Sequence, residues 1–450
     1  MTSRRNFLRL GCCSLSTLTV ASQFSRLGLV SANAQSTGDY KALVCIFLFG
    51  GNDSNNMVVP VSTQYAQYAQ ARGPLAIPQA QLLQIPTPGG AVYGLHPSLA
   101  AIHPLWAQQK LAVAANVGMI VRPTTRAQYL AGSVPVPSNL FSHSDQTSSW
   151  QTAMPLGGTT GWGGRIADRL GLLGVNAPSN YPLGTSVAGG ALLLNGVNTK
   201  AATVIPGQTT TGLEGSNPEN AAMVARDKAL GELLEMDAGY ALIQAASANT
   251  KEGIRIATLI NNVTQSNPLQ TQFPGTGLGT ELAQIARLIQ VRNELGMRRQ
   301  IFFASIGGFD THSNQLPDQQ NLYTQLSQAM AAFYNATVEM GVAAQVTTFT
   351  ESEFGRTFQP SAGNGSDHAW GSHHLIMGGA VKGGNLYGTF PTLAIQGPDD
   401  SGNRGNWIPT TSLDQYGATL ADWFGVPGTE MSVVFPNLAN FTTQNLGFMG

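Results

Sequence analysis

Asp310 and His312 stand two residues apart just after an apolar run. In extended chain, residues two apart point the same way, so this carboxylate and imidazole can reach a single cation. Four of the seven histidines, His312, His368, His373 and His374, fall within 63 residues, each near an acid or another histidine. Asp and His are hard or borderline donors suited to zinc, manganese or iron, and cysteine takes no part in the cluster. Neighbours such as Asp367 and His368 point to opposite sides of an extended chain, which favours two ions over one chelate. Two ions about 3.5–4 Å apart would stabilise the attacking and leaving oxygens of a phosphoryl-type group. A strand-end Asp is also a common cap or turn former, so the case rests on other segments aiming similar residues at one place. Asp53, at the end of the first apolar run, and the Asp367-His368 pair do so, with His374 close behind.

A second grouping lies between Asn139 and Trp150, where His143, Asp145 and several hydroxyls gather at the expected start of a helix. Backbone amides at such a terminus can hold an anionic group, so the nucleophile is sought here as Ser144 or Thr147, with metal-activated water as the rival. Ser142, His143, Ser144 and Asp145 contain the residue types of a triad, but sequence neighbours do not converge on one another. His143 and Asp145, two apart, are expected to contact metal or substrate together. Arg356 offers a two-pronged bond to an anionic substrate oxygen, or else a structural ion pair. His96 and His103, each directly before a proline, read as packing or capping residues.

The elements that must position these groups alternate along the chain. Ala42 to Phe49 is apolar without a break and runs into Gly50, Gly51 and Asp53; Leu111 to Ala115 ends at Asn116. Ile301 to Ile306 leads through two glycines to Asp310, and Val346 to Thr350 leads to Glu351-Ser352-Glu353. Such runs suit parallel strands covered on both faces, in sheets that bind ligands beyond their carboxyl ends. Helices are expected over Pro97 to Gln108, around Leu282, Ile285, Leu288 and Ile289, and around Leu322, Leu326, Met330 and Phe333. A capping box, Ser412 to Gln415, opens a helix from Asp414 to Phe424 that Gly425 ends. Residues 207–274, rich in Ala, Asn, Gln and Thr, carry helical patterning and no catalytic grouping, as a helical cap or insertion would. The expected fold is therefore α/β, one domain over residues 35–450, with a mainly parallel central sheet and helices on both faces.

Only 10% of the 450 residues are charged, against roughly 25% in an average soluble protein. The chain opens with Ser3-Arg4-Arg5-Asn6-Phe7-Leu8-Arg9, a mainly apolar segment and Ala32-Asn33-Ala34, the pattern of a twin-arginine signal cleaved before Gln35. Removing the four arginines of residues 1–34 leaves 19 basic against 24 acidic side chains, a formal charge of −5. Nucleic acid is thereby an unsuitable partner, since its binding rests on Lys and Arg contacts to phosphate. Twin-arginine cargo is as a class exported folded, often with a metal or cofactor, which places the mature chain in the periplasm or outside the cell. Cys45 alone survives cleavage, so no intramolecular disulfide is expected, and no apolar stretch of about 20 residues remains to span a membrane.

Taken in order, these motifs resemble the alkaline-phosphatase-like superfamily, and within it a bacterial family of twin-arginine-exported proteins known as a domain of unknown function. In that superfamily an aspartate follows the first strand, as Asp53 does, and an Asp-plus-His loop follows a later one, as Asp310 and His312 do. Ser352-Glu353-Phe354-Gly355 resembles the Ser-Asp-His-Gly-like turn of a further strand, and Asp367-His368 also resembles that pair. The resemblance thus implies either that Glu353 is a ligand and one histidine is lost, or that Asp367-His368 has taken over. Leu413 to Leu420 resembles a helix of sulfatase-like relatives. The chain lacks both the Cys-x-Pro-x-Arg motif of formylglycine sulfatases and the Asp-Ser-Ala nucleophile segment of alkaline phosphatases. What the resemblance implies is an exported hydrolase of small phosphate or sulfate esters, with one or two divalent ions. The alternative is a non-catalytic secreted binding or assembly protein that keeps the hydrolase fold. A serine esterase fits less well, because no Gly-x-Ser-x-Gly elbow occurs.

Overall fold

Seven consecutive residues without polar alternation cannot leave a wet face, and Ala42 to Leu48 accordingly lie buried in the middle of a sheet, in strand β1 (Lys41–Leu48). This computed structural model describes residues 39–62, 64–207, 219–236 and 239–450; the signal segment lies outside them. The same sheet contains β2 (Leu111–Gly118), β3 (Gly184–Ser186), β4 (Ala202–Thr203), β5 (Arg299–Ile306), β6 (Val346–Glu351), β7 (Ser372–Gly378), β8 (Leu386–Tyr387) and β9 (Thr411–Ser412). Its order is β8-β2-β7-β6-β1-β5-β3-β4, with β9 paired to β2. β1 runs parallel to β6, β3 to β5 and β4, and β2 to β8 and β9; β7 is antiparallel to both of its neighbours. The sheet is mainly parallel, as the unbroken apolar strands require.

The helices of two turns or more are α1 (Tyr65–Arg72), α2 (His143–Thr152), α3 (Trp162–Leu172), α4 (Ala221–Glu235), α5 (Ala241–Ser266), α6 (Gly277–Gln290), α7 (Gln315–Glu339) and α8 (Leu413–Phe424). Trp150 of α2, Ile166 and Leu170 of α3 and Tyr416 and Phe424 of α8 pack with Leu43, Cys45, Phe47, Ile301 and Phe303 of the sheet. Each such side chain contributes roughly 1.5–3 kcal/mol by leaving water. Helices α6 and α7 pack against each other, and α6 lies on β5. Cys45 is a free, buried thiol. α8 begins at a complete Ser412–Gln415 capping box and ends at Gly425, whose φ is 107°. No helix among the described residues is long and apolar enough to cross a membrane.

Two expectations change. Pro97 to Gln108 forms only a 3-10 turn, Pro97–Leu99, and one helical turn, Pro104–Ala107. Pro104 lacks the N–H that a continuous helix would use there. The second strand also runs on to Gly118, two residues past the polar Asn116 at which the sequence pattern ends it. Residues 221–266 carry α4 and α5, and Ala257 and Ile260 of α5 are buried.

The ends of β1 and β5 touch, and glycine makes this possible. At Gly50, with φ of 115°, an added Cβ would lie 2.3 Å from the backbone N of Asp310; at Gly51, with φ of 82°, it would lie 2.2 Å from the Phe354 ring. The junction is closed by Phe49 N–H on Ile306 O at 2.9 Å and Phe309 N–H on Phe49 O at 3.1 Å.

On α6, Glu281 accepts the Ser305 N–H at 2.8 Å. Burial raises its carboxyl to about 7, with that N–H opposing the rise. Between the unfolded value near 4.5 and about 7 the folded chain holds this proton more tightly than the unfolded chain, so the contribution to stability falls as pH rises through that window. Glu281→Gln is expected to be more stable than the wild type at pH 8 by about 1 kcal/mol, discounted for partial exposure. The advantage should shrink toward pH 5. Urea midpoints at the two pH values measure this, and an equal difference at both would contradict it.

Candidate functional site

Three separate segments deliver side chains to the carboxyl end of the sheet: the first residue of α2, the loop after β5, and the loop between β6 and β7. Ser142 caps α2 by accepting from the Asp145 backbone, which fixes His143 at the helix's first position. The glycines after β5 turn Asp310 and His312 toward it, and His368 arrives opposite. Ligand atoms of His143, Asp310 and His368 all lie within 4.8 Å of one another. His143 Nε2 is 3.5 Å from Asp310 Oδ2, and His368 Nε2 is 3.2 Å from Asp310 Oδ1. His312 joins them, its Nε2 3.0 Å from Asp310 Oδ1 and 3.0 Å from His368 Nε2.

Each imidazole has its other nitrogen against an oxygen acceptor. His143 Nδ1 is 2.9 Å from Glu353 Oε1, His312 Nδ1 is 3.2 Å from Asp367 Oδ1, and His368 Nδ1 is 2.7 Å from the Phe141 carbonyl. These acceptors require Nδ1 to carry the proton, so in the neutral rings all three Nε2 lone pairs are directed toward the Asp310 carboxylate. Arg356 donates toward two of these acceptors, Asp310 Oδ1 and His312 Nε2, while the Nε2 atoms of His143 and His368 face the carboxylate without such a donor. Donors on a tetrahedral ion with bonds of about 2.0–2.1 Å are about 3.3 Å apart, close to the 3.0–3.5 Å between the Asp310 oxygens and the three Nε2 atoms. The donor set fits a divalent metal of the zinc, manganese or iron type. The sites of Asp310 and His312 are open, with side chains 47% and 45% exposed.

Burial works to raise the Asp310 carboxyl, but Arg356, His368 and His312 outweigh it and hold it at about 2. Asp367 is likewise held below its usual value, burial opposing and Arg404 and His312 prevailing. Burial lowers His368.

Arg356 is wholly buried and spends its N–H groups on the protein. Nε donates to Gly51 O at 2.9 Å, Nη1 to Ser366 O at 2.8 Å and toward His312 Nε2 at 3.4 Å. Nη2 meets Gly50 O, Phe309 O and Asp310 Oδ1. No guanidinium N–H is left for a substrate oxygen, so of its two sequence readings the structural ion pair fits.

Asp53 stands apart from the ring. It pairs with buried Arg72 at 2.6 Å, and the same Oδ2 accepts from Gln315 and, at 3.4 Å, from Ser366. Oδ1 takes both the backbone and side-chain N–H of Asn55. With its lone pairs occupied, Asp53 has nothing to offer an ion. His374 faces the core between Trp150 and Tyr416, and burial pushes its ring down to about 3. Its place inside β7 removes it from the loop cluster. His373 accepts the Asn116 N–H at 2.9 Å and stacks on Phe390. Glu353 and Asp367 reach the ring only through the Nδ1 edges of His143 and His312.

Asp145 accepts from Ser142 Oγ at 2.5 Å, a capping pair that turns it from the ring. Ser144 Oγ lies 3.2 Å from Ser142 Oγ on the exposed side, and Thr147 follows His143 one turn along α2. His96 caps the turn after it by accepting the Ser98 N–H, and His103 bonds Gln84 O. The sequence reading placed His143 beside substrate and passed over Arg72, Gln315 and Arg404. His143 was visible as a histidine at a helix start, but nothing around Arg72 signals that it would be buried against Asp53.

No curated protein matches the chain. Among solved structures it is similar to a sulfatase from Pseudoalteromonas sp., at 11% identity and a TM-score of 0.31, covering 83% of this chain and 69% of that one. It is also similar to an alkaline phosphatase mutant, at 12% identity and a TM-score of 0.27, covering 72% and 64%. A third is a 2-O GAG sulfatase, at 10% identity and a TM-score of 0.30, covering 88% and 74%. Likeness at these scores supports no residue-by-residue correspondence. A family model described as protein of unknown function (DUF1501) matches residues 40–404, and the chain belongs to that family.

Proposed function

We propose that the chain is an exported, metal-dependent hydrolase of small phosphate or sulfate esters. One observation carries the reading: the Nε2 atoms of His143, His312 and His368 lie 3.0–3.5 Å from the Asp310 carboxylate while each Nδ1 is tied to an oxygen. A divalent cation held by these residues supplies Lewis-acid polarisation of an ester oxygen. The protein does the rest. Asp310 and His312 are open enough for a ligand to approach, and the buried Arg356 fixes the carboxylate's direction. The start of α2 leaves backbone N–H groups beside His143, which favours an anionic substrate over a neutral one. Ser144, exposed at the same terminus, and Thr147 one turn on are the candidate nucleophiles, with metal-activated water as their rival. The twin-arginine pattern of residues 1–34 supports export by the twin-arginine translocase to the periplasm or beyond.

A specific observation favours the non-catalytic alternative: Ser142, one of the two hydroxyls flanking His143, is committed to Asp145. Metal analysis of the mature protein, followed by a panel of phosphate monoesters, diesters and sulfate esters, separates the two. About one bound ion per chain with turnover is expected. Metal without turnover on any ester would favour the binding protein, and no metal even after reconstitution would defeat the metal-dependent hydrolase.

A further inference from the structure

We propose that Glu353 and Asp367 are positioning residues rather than ligands, and that the centre holds a single ion. The inference rests on the metal-centre reading above and narrows it, since both carboxylates stand among the sequence-derived ligands for one or two ions.

Glu353 lies on the far edge of the His143 ring, opposite the Nε2 that faces Asp310. Its side chain is only 2% exposed. Oε1 accepts from His143 Nδ1 at 2.9 Å and from the Gly50 N–H at 2.7 Å, while Oε2 lies 3.4 Å from Ser352 Oγ. Ser352 gives its one hydroxyl proton to Leu48 O at 2.8 Å, so the carboxylate is anchored just past β1 by the Gly50 N–H. Asp367 stands in the same relation to His312. Oδ1 faces His312 Nδ1 at 3.2 Å and Oδ2 meets Arg404, whose Nη2 is held by Pro360 O at 2.9 Å. In both cases the carboxylate takes the proton-bearing nitrogen, fixes the tautomer and the ring plane, and raises the basicity of the opposite nitrogen. His368 has a neutral carbonyl, Phe141 O, in this role.

The environments rank the two. Glu353 is buried with His143 Nδ1 and the Gly50 N–H as its partners and no Lys or Arg among the described residues paired with it, so it acts on the imidazole with little screening. Asp367 is 41% exposed and shares its charge with Arg404. Glu353 should therefore matter more to the ion than Asp367.

The test loads the mature protein with Co(II) and measures stoichiometry, affinity by chelator competition and the visible d–d spectrum at saturation. The wild type is expected to hold one Co(II). Glu353→Gln, which keeps the shape and an acceptor but loses the charge, should still hold one, bound about 100-fold more weakly. Asp367→Asn should bind about 10-fold more weakly. Both saturated variants should keep the wild-type band positions, because no ligand has been exchanged. A purely structural role predicts instead a lower apo melting temperature with unchanged affinity. A wild type holding two ions, a variant that loses one, or shifted bands at saturation would make the carboxylates ligands and overturn the inference; unchanged affinity in both variants would do the same. Asp367→Asn, at a half-exposed position, provides these readouts even where the buried Glu353 variant does not fold. A wild type that binds no Co(II) defeats the metal-centre reading itself, an outcome distinct from all of these.

Discussion

Asp310→Ala is expected to empty the centre and to lower ester hydrolysis by about 1,000-fold. Asp310 is the carboxylate on which all three Nε2 atoms converge, and its charge is the one that balances a cation there. Lewis-acid assistance is worth several kcal/mol of transition-state stabilisation, and each ~1.4 kcal/mol is a factor of ten in rate. The substitution also takes the counter-charge from buried Arg356, which keeps Gly50, Gly51, Phe309 and Ser366 as acceptors, so a lower urea midpoint is expected beside the loss of metal. Metal content and kcat of the purified variant, beside a urea midpoint, decide the matter. Stoichiometric metal in Asp310→Ala would show that the ion is held elsewhere.

Arg72→Ala is expected to destabilise the protein by about 3–5 kcal/mol, the cost of leaving a buried carboxylate without its counter-charge. Arg72 and Asp53 are both fully buried and 2.6 Å apart. Arg72 further bonds Asn56 at 3.2 Å and the carbonyls of Thr357 and Phe358 at 3.2 and 3.0 Å, so its loss leaves several acceptors unmet as well. Adding Asp53→Asn to Arg72→Ala should recover part of the loss, because the uncompensated charge goes with it. Urea midpoints of the single and double variants give the comparison, and a double variant no better than the single would contradict a charge-based cost. The same double variant should retain its ion, since Asp53 lies outside the ring.

The strands, the capped helix α8 and the Asp310-His312 turn were legible because each depends on local pattern: unbroken apolar runs, a Ser-to-Gln capping box, glycines before an acid. His143 was half legible. Its helix-start position could be read, but its convergence with His312 and His368 depends on how three loops fold toward one another, which no spacing encodes. The roles of Asp53 and Arg356 were obscured for a related reason. An acid at a strand end and an arginine in a glycine-rich loop look alike whether they face solvent or each other's buried partners. Here Arg72 and Gln315, 19 and 262 positions from Asp53, decide the outcome.

The donors of the ring span 225 positions of the chain, from His143 to His368, and only Asp310 and His312 are near neighbours. An unfolded chain therefore offers an ion little more than one weak two-toothed grip, and tight capture has to wait until the long intervening stretches have closed. Binding energy of this kind is folding energy. Under the folded export proposed above, the identity of the ion would be settled by the metals available where folding is completed, in the cytoplasm.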